Sequence, residues 1–344
     1  LNILMAGVDY RSASIEARET LGFSPQKVKE ILSRLKQKEG VSGAVVLSTC
    51  NRTEVYLSLD SFEGADPVAL FCEAAGIGDG MKQYFYCKTG ERAAIYLFEL
   101  ACGIHSMIFG DDQIVTQVKE AIRISMENGF SDAKLNTLFR CAITCAKKVK
   151  TKFVLSAVSP SVAGQSARIV SEYLQKNRGG KALVIGNGVV GRSVCEALVK
   201  IGCQVYMTTR KHNSQSTIVP KGCTTIAFDE REAMIPKVDI LISATSSPHQ
   251  TITFDMVDRC ERKPRYIIDL AVPRDIDPGV RNIENVLYYN VDSLGETARK
   301  DNSKEIAALK VLIKEHMEDY NHWSTHRERL FSGQPIHYRV GEAL

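Results

Sequence analysis

The stretch from Lys181 to Met207 restricts the fold more than any other part of this chain. Ala182-Leu183-Val184-Ile185 is a continuous apolar run of strand character, and Gly186-Asn187-Gly188-Val189-Val190-Gly191 follows it without a gap. Val190, Val194, Ala197, Leu198 and Ile201 then share one helical face, and Gln204-Val205-Tyr206-Met207 reads as a second strand. A GxGxxG triplet alone is a weak signal. Strand–GxGxxG–helix–strand, however, is the context a dinucleotide site requires. The first two glycines let the backbone turn and approach a pyrophosphate at the helix N-terminus, and the third lets helix and strand pack closely. Gly186, Asn187, Gly188, Val189, Val190 and Gly191 are therefore the expected cofactor-binding residues of a doubly wound, Rossmann-type domain. NAD sites usually place an acidic residue at the end of the second strand, to hold the ribose 2′-hydroxyl. Here Thr208-Thr209-Arg210-Lys211 stands in that place. A guanidinium suits a 2′-phosphate, so NADPH is the expected cofactor, with Arg210 reading the phosphate. Further strands are expected at Val238–Ser243, Arg265–Leu270 and Val286–Tyr289.

A length of 344 residues leaves room for two or three domains. A net charge of +4 fits transient contact with an anionic partner and argues against a dedicated nucleic-acid coat protein. The ten cysteines lack the CxxC pairs of a zinc site or redox dithiol, which points to reduced thiols in a reducing compartment. No apolar run approaches the ~20 residues that span a bilayer, and no membrane association is expected. The start lacks a signal-peptide pattern. The chain starts at Leu1, which leaves room for a missing natural start or leader. The expected location is the cytoplasm, or the plastid stroma where a leader has been removed.

Upstream of the dinucleotide motif, Ser48-Thr49-Cys50-Asn51-Arg52-Thr53-Glu54 joins two runs with strand spacing, Ala44 to Leu47 and Val55 to Leu59. A cysteine in such a connection is held by rigid elements yet stays open to a ligand. Arg52 beside it favours the thiolate, the form that attacks a carbonyl carbon. An arbitrary cysteine is more often a buried apolar filler, but the polar company of Thr, Asn, Arg and Glu weighs against that here.

S-T-C-N-R-T-E-V-Y resembles the active-site segment of the glutamyl-tRNA reductases. Gly7–Ala13 with Glu16–Glu19, Ser106–Ile114, Asp239–Pro248, Ile268–Asp277 and Tyr289–Leu294 are similar to further segments of that family. The resemblance implies NADPH-dependent reduction of glutamyl-tRNA(Glu) to glutamate-1-semialdehyde, the opening step of tetrapyrrole biosynthesis. Cys50 would be the catalytic nucleophile that forms a thioester and releases tRNA. Thr49 and Asn51 would line or position the substrate, and Arg52 would pair with its carboxylate. Ser106, Asp111, Asp112, Gln113 and Gln117 would hold the glutamyl group, although Asp111-Asp112-Gln113 departs from the family's Glu-Pro-Gln. Tyr96 stands where the family carries a histidine important for activity, which implies slower turnover unless another group moves the proton. His105 is the nearby imidazole. At ~100° per residue, nine steps put it opposite Tyr96 on a continuous helix, unless Gly103 breaks that geometry. Two rival readings are a weak or silent homologue that binds glutamyl-tRNA or a partner, and another NADP-dependent carbonyl oxidoreductase.

Elsewhere, Ser24 and Pro25 open a helix with Val28, Ile31, Leu32 and Leu35 on one face. A less regular stretch runs from Gly64 to Gly80. Arg140, Lys147, Lys148, Lys150 and Lys152 follow the polar side of another helix and are the local candidates for phosphate contacts to an RNA stem. Ile306, Leu309, Ile313, His316, Tyr320 and Trp323 recur at the spacing of a helix packing lengthwise on a partner. His322 and His326 lie one turn apart without a third ligand, so they read as surface residues and no metal is expected. The expected class is α/β, in three parts: a catalytic α/β domain over 1–155, the NADPH domain over 156–290, and an abbreviated C-terminal dimerisation helix over 291–344. The resemblance further implies a homodimer and a transient complex with glutamate-1-semialdehyde aminotransferase.

Overall fold

The computed structural model describes residues 1–61, 64–107, 109–111, 113–152, 161–177, 179–210, 218–297 and 303–332. Its first domain runs β1 (Ile3–Asp9), α1 (Ile15–Glu19), α2 (Pro25–Lys36), β2 (Val41–Ser48), β3 (Arg52–Leu59), α3 (Pro67–Ala75), β4 (Tyr86–Thr89), α4 (Gly90–Ala101), α5 (Gln113–Glu127) and α6 (Ala133–Lys152). The strands form an antiparallel sheet in the order β2-β3-β1-β4. Every residue of β1 and β3 is buried, because helices cover both faces of the sheet. Leu4, Ala6, Val55 and Leu57 point toward α2 and α3, while Ile3, Met5 and Tyr56 point toward α4 and α6. This is the period-2 alternation of a strand between two apolar layers.

The α2 cap is as expected, with the Ser24 hydroxyl accepting from the Lys27 amide at 3.2 Å. The stretch expected to be irregular holds α3, which Asp66 caps at one end and Gly76, at φ +71°, at the other. Its nine residues are too few to show a clear apolar period.

The second domain comprises α7 (Val162–Lys176), β5 (Lys181–Ile185), α8 (Val189–Lys200), β6 (Gln204–Thr209), β7 (Cys223–Ala227), α9 (Arg231–Met234), β8 (Ile240–Ser243), α10 (Phe254–Asp258), β9 (Tyr266–Asp269), β10 (Leu287–Asn290) and α11 (Val291–Thr297). Its six strands are parallel, in the order β10-β9-β8-β5-β6-β7. The order reverses beside β5, which is the doubly wound arrangement and puts a crevice at the strands' C-terminal ends. β7 escaped the sequence reading because an edge strand with exposed threonines shows no apolar run. The expected boundary near residue 155 lies outside the described residues.

A final helix, α12 (Ser303–Ser332), corrects one expectation. Its apolar stripe does not need a second copy of the chain to cover it. Leu309, Leu312, Ile313, Met317 and Tyr320 are buried in the first domain's core with residues of α4 and α6. A stripe satisfied within the chain gives no argument for a dimer through that face. We expect Leu309→Ala to cost about 2–5 kcal/mol in urea denaturation, independent of protein concentration. Val311→Ala, on the exposed side, should cost less than about 0.5 kcal/mol. A loss at Leu309 that grows on dilution would place this side chain between copies instead.

Candidate active site

The β2–β3 hairpin closes on Cys50 and Asn51. The Thr49 amide donates to the Arg52 carbonyl at 2.8 Å, and the Thr49 hydroxyl accepts from the Asn51 and Arg52 amides, each at 3.2 Å. The hydroxyl therefore holds the tip from inside, which a plain apolar turn residue cannot do. Arg18 of α1 approaches from the side: its Nη1 donates to the Cys50 carbonyl at 2.9 Å and lies 3.4 Å from Asn51 Oδ1.

Cys50 is half-buried. Burial first, and the Asp111 carboxylate second, push its thiol up to about 11, against opposing pulls from Arg18 and Arg52. Arg52 pulls toward the thiolate, as expected, but desolvation outweighs the nearby cations. At pH 7 a thiol near that value is ionised to only ~10⁻⁴. The resting sulfur is protonated.

Arg52 lies inside the domain, its side chain 1% exposed. Its Nη1 donates to Glu54 Oε1 at 2.8 Å and to the Tyr96 hydroxyl at 3.1 Å, and Nη2 donates to the His105 carbonyl. Tyr96 in turn donates to Glu54 at 2.9 Å and lies 2.7 Å from the Tyr86 hydroxyl. Burial, reinforced by the Glu54 carboxylate, raises the Tyr96 pKa and keeps the phenol an O–H donor. Gly103, at φ +78°, ends α4 and turns the chain back. The His105 ring then stacks on Tyr96, with centroids 4.6 Å apart. Nε2 of His105 meets Glu99 at 2.7 Å, and Nδ1 lies 3.4 Å from Arg11 Nη1. A cavity of ≈ 250 Å³ opens here, lined by Asp9, Arg11, Lys88, Tyr96 and His105. Arg11, with a 45% exposed side chain, pairs through Nε and Nη2 with the buried Asp9 carboxylate, and Lys88 is a second cation of this lining.

Among the remaining expected residues, the Ser106 carbonyl accepts from the Tyr10 hydroxyl at 3.4 Å. Asp111 Oδ1 accepts from the Gln113 amide at 3.0 Å. Gln113 and Gln117 are half-buried on α5, and among the described residues no hydrogen bond ties either side chain to the hairpin. Asp112 lies outside the described residues.

In the second domain the glycines of the turn are sterically required. Gly186 has φ +109°, and a Cβ there would lie 2.5 Å from the Ala244 carbonyl oxygen. A Cβ at Gly191 would lie 2.1 Å from the Gly186 oxygen, whereas one at Gly188 would meet nothing within 4 Å. Gly188 thus leaves open space at the N-terminus of α8, where anionic phosphates are favoured. The crevice there has a volume of ≈ 670 Å³, and Asn187, Val189, Thr208, Arg210 and Thr245 line it. Asn187 Oδ1 is buried with no hydrogen-bond partner, an acceptor that a bound hydroxyl or amide can satisfy. Arg210 lies over the Phe228 ring at 5.3 Å, beside the crevice. Glycine cradle, orphaned acceptor and basic wall all fit a nicotinamide dinucleotide.

Comparison with known proteins agrees with this geometry. Residues 6–153 match the profile described as "Glutamyl-tRNAGlu reductase, N-terminal domain", and residues 168–297 match "Shikimate / quinate 5-dehydrogenase". The chain is 39% identical over 333 residues to a glutamyl-tRNA reductase of Acetivibrio thermocellus, covering 96% of this chain and 99% of that protein. The chain belongs to the glutamyl-tRNA reductase family. It is also 41% identical over 331 residues to a probable multifunctional siroheme biosynthesis protein HemA of Ruminiclostridium josui, of which it spans 64%. The solved glutamyl-tRNA reductase from Methanopyrus kandleri superposes with a TM-score of 0.50 at 29% identity, covering 93% of this chain and 80% of that one.

Within this family member the sequence reading missed Arg18, Arg11 and Glu54 as parts of the site. Arg18 lay inside a segment noted only for its resemblance, and nothing in its spacing shows that it reaches the hairpin. The Tyr96 hydroxyl completes the hydrogen bonding of a buried Arg–Glu pair, so Tyr96→Phe should cost about 1–3 kcal/mol of stability in urea denaturation. A change within error would show that Arg52 and Glu54 need no such partner.

Proposed function

We propose that this chain reduces glutamyl-tRNA(Glu) to glutamate-1-semialdehyde, with Cys50 as acyl acceptor and NADPH as reductant. The observation that carries the reading is the Cys50 hairpin, whose carbonyl Arg18 holds at 2.9 Å and whose thiol feels the charges of Arg18, Arg52 and Asp111. The Cys50 thiol gives up its proton, which the departing tRNA oxygen takes up, and the sulfur attacks the ester carbonyl joining glutamate to the tRNA terminal adenosine. The tetrahedral intermediate collapses to a Cys50 thioester, and the tRNA leaves with its hydroxyl. Backbone amides at the hairpin tip and Asn51 are the candidates for stabilising the oxyanion. A thioester has weaker resonance than an ester, and a nicotinamide held in the glycine cradle would supply the hydride that gives the aldehyde and frees the Cys50 thiolate.

Arg52 is enclosed by Glu54, Tyr96 and the His105 carbonyl, so its role is to fix those groups under the hairpin. Arg11 is the more exposed arginine, but its Nε and Nη2 grip the buried Asp9 carboxylate, so a substrate carboxylate would meet its Nη1 edge. Thr49, Ser106, Asp111, Gln113 and Gln117 remain proposed contacts of the glutamyl group. Tyr96 supplies a hydrogen bond rather than a titrating group, and the His105 stacked on it is the nearest imidazole. For the cofactor, Arg210 and the absence of an acidic residue at the end of β6 support NADPH over NADH.

The lysines along α6 support phosphate contacts to tRNA. Homodimerisation and a complex with the aminotransferase rest on the family resemblance alone. A cytoplasmic location is inferred from ten free cysteines. Among the described residues, no helix is long and apolar enough to cross a membrane, and no group of three His, Cys, Asp or Glu could hold a metal.

NADPH oxidation should require glutamyl-tRNA, and Cys50→Ser should abolish it while leaving NADPH binding intact, since a serine hydroxyl lacks the thiolate's nucleophilicity. Oxidation without tRNA would favour another carbonyl oxidoreductase, and tRNA binding without oxidation a silent homologue. Arg210→Gln should weaken NADPH binding more than NADH binding, and equal losses would remove Arg210 from phosphate recognition.

A further inference from the structure

Arg18 connects three parts of the molecule. Its side chain is 3% exposed. Nη1 holds the Cys50 carbonyl, while Nη2 donates to both carboxylate oxygens of Asp292 at 2.5 and 2.6 Å. Asp292 is the second residue of α11, just beyond β10 of the cofactor domain's sheet. Alongside, Arg274 of the cofactor domain grips Glu19 with Nε and Nη2 at 2.8 Å each, and meets Glu16 at 3.0 Å. The short helix α1 is therefore held to the cofactor domain by two arginine–carboxylate contacts of opposite polarity. One takes its cation from α1, the other its anions.

A cation near a thiol stabilises the thiolate, and a carboxylate bound to the same cation cancels much of that effect. We propose that Arg18 is a positioning residue that couples the placement of the cofactor domain to the reactivity of Cys50. Paired with Asp292, Arg18 fixes the hairpin while the carboxylate offsets part of its charge. Released from Asp292, it turns its full charge on the sulfur. The charged groups facing the thiol are Arg18 from α1, Arg52 from β3 and Asp111 from the segment ahead of α5, with Asp292 acting through Arg18. Of the two arginines, Arg18 exerts the larger pull on Cys50, which is what a switchable group requires. In this arrangement the thiol stays protonated while the two domains are latched, and its nucleophilicity rises when Asp292 withdraws.

The proposal rests on Cys50 being the acyl acceptor, but its test needs neither tRNA nor cofactor. The full chain is treated with iodoacetamide across a pH series, and alkylation of the Cys50 peptide is followed by mass spectrometry. Asp292→Asn should lower the apparent pKa of Cys50. At a pH below that pKa the thiolate fraction, and with it the alkylation rate, rises about tenfold when the pKa falls by one. Asp292→Glu keeps the charge and should leave the profile close to that of the parent chain. In an Arg18→Gln background, Asp292→Asn should produce no downward shift. The proposal is overturned if Asp292→Asn leaves the profile unmoved, if Asp292→Glu shifts it equally, or if the shift persists without Arg18. Should Arg18→Gln fail to fold, the contrast between Asn and Glu at position 292 decides the matter alone. Failure here would leave the Cys50→Ser result standing, so the coupling and the thioester reading are tested separately.

Discussion

The buried pair of Arg52 and Glu54 is the interaction on which the catalytic end of this molecule depends. Both side chains come from the first three residues of β3, almost without exposure, and neither can be left without its partner at small cost. Around them gather the Tyr96, Tyr86 and Tyr56 hydroxyls and the His105 carbonyl, so strand, helix α4 and the segment after Gly103 are fixed to one another. Cys50 sits two residues before Arg52, at the tip of the strand this pair anchors. A buried ion pair is weak evidence for stability, but here it defines a geometry: a thiol on a rigid hairpin, and a separate cavity lined by Arg11, Tyr96 and His105.

Charge and burial act against each other at that tip. Desolvation holds the sulfur as a thiol, and two arginines pull the other way. This balance suits the role proposed for Cys50, an acyl acceptor unreactive until its ester arrives, since the thiolate is the reactive form. In the cofactor domain the constraint is steric. The Gly186 and Gly191 backbones leave no room for a side chain, and Asp275 fixes the neighbouring wall by accepting from the Ser243 hydroxyl at 2.7 Å and the Thr245 hydroxyl at 2.6 Å. The two domains meet at α1, a helix of only five residues whose value lies in its charges rather than in its packing.

The cofactor domain was legible in the sequence because glycine positions, apolar runs and a helical stripe all report on local backbone geometry. The hairpin was legible for the same reason. What escaped were features set by residues far apart in the chain. Arg18 reaches Cys50 across 32 positions and Asp292 across 274, and no local period records either contact. Nearer in sequence, the stated exception held: Gly103 in the left-handed region breaks the helical count and returns His105 onto Tyr96. The stripe on α12 does need a partner, but spacing alone cannot say that α4 and α6 provide it. The enclosure of Arg52 was not legible because burial is a property of the fold, not of the motif.

The central claim is that Cys50 carries the glutamyl group, and it can be observed directly. The full chain is mixed with glutamyl-tRNA in the absence of NADPH, quenched in acid, and the Cys50 peptide is followed by mass spectrometry. That peptide should gain one glutamyl group, in a linkage that hydroxylamine cleaves and that disappears as aldehyde forms when NADPH is added. An unmodified Cys50 peptide in a preparation that goes on to make the aldehyde would contradict it.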